Sequence, residues 1–241
     1  MCIRDSGYRV WVPDQRGYNL SDKPAGIEAY GIDHLVEDVV GLIKAAGEER
    51  ALLVGHDWGA AVAWWTAIRH PQRVEKLAVL NVPHPLVMQT NLRRNPAQWR
   101  RSWYIAFFQL PWLPEALGRR NHHRLIAGSL LRSSRSGTFL PADLETYRRA
   151  WAQPGALAAM LNWYRAAIRR PPTPPTCWRI RCPTLLIWGA QDRFLGREMA
   201  DQSMAHVDHG RLLFLEEASH WVQHEEPERV NRWLIEFLHD G

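Results

Sequence analysis

The stretch Ala51-Leu-Leu-Val-Gly-His-Asp-Trp-Gly-Ala60 decides how the rest of the 241-residue sequence is interpreted. Its first four residues predict a short buried strand, and the apolar run that follows, residues 60–70, predicts a buried helix. Gly55 and Gly59 flank Asp57 in the pattern Gly-x-nucleophile-x-Gly, where a sharp strand-to-helix turn leaves no room for side chains. The pattern predicts a nucleophile elbow carrying Asp57, and a helix N-cap role for Asp57 is the structural alternative.

On both sides of this stretch, strands and helices alternate. The predicted elements are, in order, strand 8–12, helix 32–46, strand 51–54, helix 60–70, strand 74–80, strand 184–188, helix 197–206, strand 211–215 and helix 227–239. Such alternation is typical of a parallel sheet with helices on both faces. The fold class is therefore predicted to be α/β.

Residues 86–178 interrupt this alternation, because they contain no convincing strand. The helices predicted there are 96–109, 121–131, 142–151 and 155–169, followed by the stiff linker Pro171-Pro-Thr-Pro-Pro175. We therefore expect a core formed by residues 7–85 and 179–241, with an all-helical cap, or lid, at 86–178. Residues 1–6 fit neither a signal peptide nor a helix start, and we interpret them as an artefactual leader on a truncated reading frame.

Composition excludes several classes of protein. The three cysteines have no metal-ligand spacing, and no run is long and apolar enough for a membrane span, so we expect a cytoplasmic protein without a metal site. The net charge of +5 is concentrated in residues 86–178, which hold 14 Arg and three acidic residues. No nucleic-acid-binding module is present, so nucleic acid is not an expected partner, and docking of this segment to an anionic membrane stays open.

Two further residues follow predicted strands and complete a constellation with Asp57. Asp192 follows the apolar run 185–189, and His220 follows strand 211–215. The carboxyl ends of parallel strands converge on one crevice, so three residues distant in sequence can meet there. The order nucleophile, acid, histidine is that of the hydrolase triad, and the position of His220 favours it over the nearby His224.

Seven motifs together resemble the epoxide hydrolases of the α/β-hydrolase superfamily, over residues 7–241. They are Asp14-Gln-Arg-Gly-Tyr-Asn-Leu-Ser-Asp-Lys-Pro24, Gly55-His-Asp-Trp-Gly-Ala60, Asn81-Val-Pro-His-Pro85, Trp103-Tyr-Ile-Ala-Phe-Phe-Gln-Leu-Pro111, Asn162-Trp-Tyr-Arg165, Trp188-Gly-Ala-Gln-Asp192 and Ala218-Ser-His-Trp221. The resemblance implies an α/β-hydrolase fold with a helical cap. It also implies roles for the lid tyrosines Tyr104 and Tyr164, which periodicity alone would assign to a packed core.

The chemistry of the nucleophile restricts the substrate. A carboxylate that attacks a saturated carbon forms an ester, which a histidine-activated water can hydrolyse, whereas a serine would form a stable ether. The resemblance then implies opening of an apolar epoxide to a vicinal diol, with Asp57 as nucleophile and the tyrosines as proton donors. It places the Trp58 N–H in the oxyanion hole, and no cofactor is expected. The substrate-pocket candidates are Trp103, Phe107, Phe108 and Trp163.

Two alternatives remain open at this point. A haloalkane dehalogenase uses the same triad and elbow, although a leaving halide needs no tyrosine proton donors. A non-catalytic protein could also have kept the pocket. The resemblance further implies a second oxyanion donor from a His-Gly-x-Pro motif and several strands before residue 7. The sequence contains no such motif, so we expect this chain to fold poorly and to turn over slowly.

Overall fold

The sheet of the computed structural model, which describes residues 7–239, has four parallel strands in chain order. They are β1 (Ala51–His56), β2 (Val74–Leu80), β3 (Thr184–Gly189) and β4 (Gly210–Leu215). Every residue of β3 and all but one of β2 are at least nine-tenths buried. Strands covered on both faces are apolar almost throughout, which explains why alternation is absent from these sequences. The prediction of these four strands is confirmed to within two residues at each end.

Eleven α-helical segments, one of which (Leu113–Ser133) is broken by non-helical backbone at residues 120–123, accompany the sheet in the part of the chain that the structure describes. They are α1 (Ile32–Ala45), α2 (Trp58–Arg69), α3 (Pro85–Arg94), α4 (Pro96–Arg101), α5 (Trp103–Phe107), α6 (Leu113–Ser133), α7 (Pro141–Trp151), α8 (Ala156–Arg169), α9 (Glu198–Met204), α10 (Val222–Glu225) and α11 (Pro227–His239). Short 3-10 turns lie at Glu28–Tyr30 and Pro71–Arg73. None of these helices is long and apolar enough to cross a membrane, as far as the described residues go.

The predicted first strand, 8–12, is wrong. No strand pairs with these residues or with the free edge of β1 within residues 7–239. Instead the Arg9 guanidinium donates to the carbonyl of Ala46, and the Tyr8 ring packs against His239. Apolar alternation specifies a strand only where a neighbouring strand accepts its backbone hydrogen bonds. Within residues 7–239 no strand lies beside residues 8–12 to accept them.

Two other expectations for the helical segment differ from the structure. The helix predicted at 96–109 is two helices, α4 and α5, separated at Ser102, whose backbone leaves the helical region. Helix α3, which was not predicted, begins at Pro85, where the His84 side chain accepts a hydrogen bond from the Leu86 N–H. Proline at the first helical position with a side-chain cap before it is a favoured start, so this signal was present in the sequence.

Contacts divide the chain into two compact units. The first contains the sheet and comprises residues 7–11, 39–101 and 174–239, and its core includes Leu185, Ile187 and the buried face of α11. The second comprises residues 12–38 and 102–173. The leader expected at residues 1–6 lies outside the described residues.

Residues 12–38, which the sequence pattern placed with the core, cluster with the helices of the second unit. The Trp163 indole N–H donates to the Arg16 carbonyl at 2.9 Å, and the Tyr18 ring meets Trp163 edge-on. Gly17 has φ of +87°, and a Cβ there would lie 2.8 Å from the Cβ of Ala159. Only glycine fits at position 17. The contacts with Trp163 and Ala159 join the loop after residue 12 to α8.

Candidate active site

The strand β1 and helix α2 meet in a sharp turn at Asp57. Asp57 has φ of +49° and ψ of −127°, a strained conformation for a residue with a side chain. A Cβ on Gly55 would lie 2.6 Å from the Cα of Ala60, so only glycine fits there. The Asp57 side chain makes no N-cap hydrogen bond to α2, and the neighbouring backbone N–H of Trp58 lowers the pKa of its carboxyl group. This geometry favours the elbow over the N-cap alternative.

Three residues predicted to act together meet at the carboxyl edge of the sheet. The His220 Nδ1 lies 2.7 Å from Oδ2 of Asp192, and its Nε2 lies 3.8 Å from Oδ1 of Asp57. Because Nδ1–H donates to Asp192, the unprotonated Nε2 of the neutral imidazole is directed toward Asp57. His220 can therefore take a proton from a water held beside the Asp57 carboxyl group.

The Asp192 carboxylate is buried and has four hydrogen-bond donors. Its Oδ1 accepts the N–H groups of Phe194, at 2.7 Å, and Leu195, at 3.0 Å. Its Oδ2 accepts His220 and the side-chain amide of Asn81, at 2.8 Å. These four bonds fix the position of the buried carboxylate, so Asp192 can hold the imidazole in one tautomer and orientation.

Asn81 belongs to the sequence motif Asn81-Val-Pro-His-Pro85 but was not predicted as a site residue, and the structure places it beside Asp192. It follows β2 with φ of +53°, and its Oδ1 accepts the backbone N–H of Gly189 at 2.9 Å. One side chain thus ties the end of β2 to the end of β3 and donates to Asp192. An asparagine directly after a buried strand is the signal that could have identified it.

The electrostatics of the site arise from burial and from its carboxylates. Burial alone would lower the pKa of His220, but Asp192, Asp57 and Glu225 outweigh it and raise that pKa above the ordinary value. Desolvation raises the pKa of Asp57 more than the attraction of His220 lowers it. The Asp57 side chain keeps 48% of its accessible surface, so solvent screening limits this rise in its pKa.

His56, which directly precedes Asp57, is a second residue that the sequence did not single out. Its Nε2 lies 2.8 Å from the carbonyl oxygen of His220, and its Nδ1 lies 3.1 Å from the side-chain nitrogen of Gln223. Burial, with the neighbouring His220 and His224, holds the pKa of His56 well below its usual range. A neutral His56 therefore donates from Nε2 to the His220 carbonyl and fixes the backbone there.

The lid tyrosines meet within the second unit. Tyr104 on α5 and Tyr164 on α8 have ring centroids 5.9 Å apart in an edge-to-face arrangement, and the Phe108 ring contacts both. The Arg165 guanidinium next to them donates to the carbonyls of Phe108 and Leu110 and forms an ion pair with Glu115. Arg165 thereby holds the turn after α5 against α8.

The four pocket candidates lie in different environments. Phe107 contacts both Trp103 and Phe108, and Trp103 is 65% exposed. Trp163 is only 1% exposed and belongs to the interior of the second unit. Among residues 7–239, no group of three or more His, Cys, Asp or Glu side chains is placed to hold a metal ion.

Comparison with known proteins identifies the family. The sequence profile of the alpha/beta hydrolase fold matches residues 2–227. The chain belongs to the α/β-hydrolase superfamily. The parallel sheet is thus that of an α/β-hydrolase, and the predicted fold class is confirmed.

Relatives and solved structures show which α/β-hydrolases this chain is similar to. AB hydrolase superfamily protein YfhM of Bacillus subtilis is 48% identical over 97% of the chain and 82% of its own length. Epoxide hydrolase 4 of Homo sapiens is 38% identical over 97% of the chain, which spans 66% of that protein. A crystal structure of Bacillus megaterium epoxide hydrolase in complex with an inhibitor is 34% identical, with a TM-score of 0.82, over 94% of this chain and 82% of that one. The resemblance to epoxide hydrolases is confirmed.

Proposed function

We propose that this α/β-hydrolase opens epoxides to vicinal diols through a covalent ester on Asp57. The observation that carries the proposal is the elbow geometry, with Asp57 at the nucleophile position and the His220 Nε2 3.8 Å from its Oδ1. Several relatives are named epoxide hydrolases, which supports the substrate class.

In the first step, an Asp57 carboxylate oxygen attacks one epoxide carbon. A carbon–oxygen bond forms to Asp57, the carbon–oxygen bond of the strained ring breaks, and the electron pair goes to the epoxide oxygen. We assign Tyr104 and Tyr164 as the donors that hydrogen-bond this oxygen and supply its proton. A tyrosine is a suitable donor because the alkoxide that forms is far more basic than a phenolate.

In the second step, His220 takes a proton from water, and the resulting hydroxide attacks the carboxyl carbon of the Asp57 ester. The oxygen that becomes negative is a carboxyl oxygen of Asp57, and the neighbouring Trp58 N–H already lowers the pKa of this carboxyl group. Collapse of the intermediate breaks the ester bond, and the leaving alkoxide takes the proton of the His220 imidazolium to give the diol. The proton of the Asp57 carboxylic acid returns to the tyrosinate, so the Asp57 carboxylate, neutral His220 and the tyrosine are regenerated. Asp192 stabilises the imidazolium form of His220 while this happens.

The aromatic side chains of the second unit favour an apolar substrate. We propose that Trp103, Phe107 and Phe108 supply ring surface to an aryl or alkyl epoxide. Trp163, whose N–H is bound to the Arg16 carbonyl, supports the pocket by fixing α8, which carries the adjacent Tyr164.

Diol formation from styrene oxide, with the enzyme in excess, tests this proposal. We expect diol from the wild-type chain and none from Asp57→Asn, while Asp201→Asn, which changes an exposed aspartate on α9, serves as the matched control. Bromide release from bromobutane is measured in parallel. Bromide release without diol would favour the dehalogenase alternative, and diol formation that survives Asp57→Asn would overturn the proposal.

Replacement of the tyrosines separates the two chemistries further. Tyr104→Phe and Tyr164→Phe remove only a hydroxyl group, so each should slow epoxide opening by on the order of a hundredfold. Departure of a halide needs no proton, and its rate should change little. Equal losses in both reactions would contradict the assigned role of the tyrosines.

A further inference from the structure

A buried carboxylate outside the predicted triad lies next to the catalytic histidine. Glu225, on the short helix α10, is 6% exposed. Its Oε2 accepts the backbone N–H of Ser219 at 2.6 Å, and its Oε1 accepts the Ser219 hydroxyl at 2.6 Å. A buried ionised carboxylate is costly unless hydrogen bonds compensate it, so two short bonds to one residue are a specific arrangement.

These two bonds act on the backbone that carries His220. Ser219 directly precedes His220, and the His220 carbonyl is held in turn by Nε2 of His56 at 2.8 Å. The segment is thus fixed on one side by Glu225 and on the other by His56. With the backbone fixed, the imidazole can reach both Asp192 and Asp57 with little loss of side-chain freedom.

We propose that Glu225 is a positioning residue, whose buried carboxylate anchors Ser219 and holds the His220 imidazole between Asp192 and Asp57. That the His220 imidazole acts as a base rests on the proposed function. The anchoring itself is a property of the folded chain and can be measured without substrate.

The charge of Glu225 also acts on His220. The groups that face the imidazole are Asp192 after β3, Asp57 and His56 at the end of β1, and Glu225 on α10. The three carboxylates favour the imidazolium form, and neutral His56 adds no charge. Removal of the Glu225 charge should therefore lower the pKa of His220, while the bond to Asp192 stays in place.

Glu225→Gln tests this with little change in shape. The glutamine oxygen can accept the Ser219 N–H, and its NH2 group can donate to the Ser219 hydroxyl, so both contacts persist without the charge. We would titrate the His220 ring by NMR in the wild-type chain, in Glu225→Gln and in Glu228→Gln, an exposed carboxylate on α11. We expect the His220 midpoint to move to lower pH only in Glu225→Gln.

A second variant separates anchoring from charge and does not depend on how well Glu225→Gln folds. Ser219→Ala keeps the carboxylate but removes one of its two bonds. We expect faster solvent exchange, by about tenfold or more, for the His220 Nδ1 proton. An unchanged midpoint in folded Glu225→Gln would overturn the electrostatic part of the proposal. Unchanged Nδ1 exchange in Ser219→Ala would overturn the anchoring.

The kinetic form of the same test reports on the proposed function separately. If His220 is the base, the acid limb of ester hydrolysis should move to lower pH in Glu225→Gln, in parallel with the NMR midpoint. Absence of any ester or diol in the wild-type chain would refute the proposed function, while the NMR results would still decide the role of Glu225.

Discussion

Gly55→Ala places a methyl group against the backbone of the elbow. The added Cβ would lie 2.6 Å from the Ala60 Cα, 2.6 Å from the Gly59 oxygen and 2.7 Å from the Ala60 nitrogen. All three are backbone atoms at the start of α2, so no side-chain rotation relieves the clash. The first turn of α2 must move, and Asp57 moves with it. We expect a loss of about 1–3 kcal/mol in the free energy of unfolding, as for an overpacked core.

Gly41→Ala is the matched control for this experiment. Gly41 lies inside α1, and a Cβ there would meet no atom within 4 Å. The same chemical change should then stabilise the chain by about 0.5–1 kcal/mol, because alanine is the better helix former. Urea unfolding, followed by circular dichroism, measures the free energy of unfolding of both variants. If Gly55→Ala is as stable as the wild-type chain, or more stable than Gly41→Ala, the account of the elbow is refuted.

Three further predictions concern stability, each measured as the free energy of unfolding. Asn81→Ala leaves the buried Gly189 N–H without its acceptor, removes one donor from Asp192 and keeps the unfavourable positive φ. It should lower the free energy of unfolding by about 3 kcal/mol, and a change near zero would contradict this. Burial, with His206, lowers the pKa of His84 from 6.5 to about 3 in the folded chain. Between these two pH values the unfolded chain binds a proton that the folded chain does not, so the free energy of unfolding falls as the pH drops below 6.5. His84→Gln should make that pH dependence shallower by up to about 1.4 kcal/mol per pH unit, and an unchanged slope would refute it. Arg165→Met should cost about 3–5 kcal/mol, because it strands a largely buried Glu115, and adding Glu115→Leu should recover part of the loss.

The sheet and the residues at its edge could be predicted because local sequence specifies them. Continuous apolar runs predicted β2 and β3, and the requirement for glycine before Asp57 located the elbow. Since parallel strands end at one edge, the positions of Asp192 and His220 after their strands were enough to expect them near Asp57.

The contacts that the supporting residues make could not be predicted, because their partners are remote in sequence. Asn81 contacts Asp192 across more than a hundred residues, and His56 contacts the His220 carbonyl across an even longer separation. Glu225 bonds Ser219 only because α10 turns back toward the strand end. Strand 8–12 failed for the converse reason, since a local pattern cannot show whether a partner edge exists.

Buried hydrogen bonds hold both Asp192 and the backbone at His220. The Asp192 carboxylate has four donors, and the backbone at His220 is held by His56 and, through Ser219, by Glu225. Buried polar groups arranged in this way fix one orientation of an imidazole. This preorganisation is what general-base hydrolysis of an ester on Asp57 would need.

The measurement that tests the central claim most directly is a single turnover of styrene oxide in water labelled with heavy oxygen. The ester route transfers an oxygen of Asp57 to the epoxide carbon and a water oxygen to the Asp57 carboxyl group. We therefore predict an unlabelled first-turnover diol and a labelled peptide containing Asp57, both read by mass spectrometry. A labelled diol with an unlabelled peptide would show direct attack by water and would contradict the account.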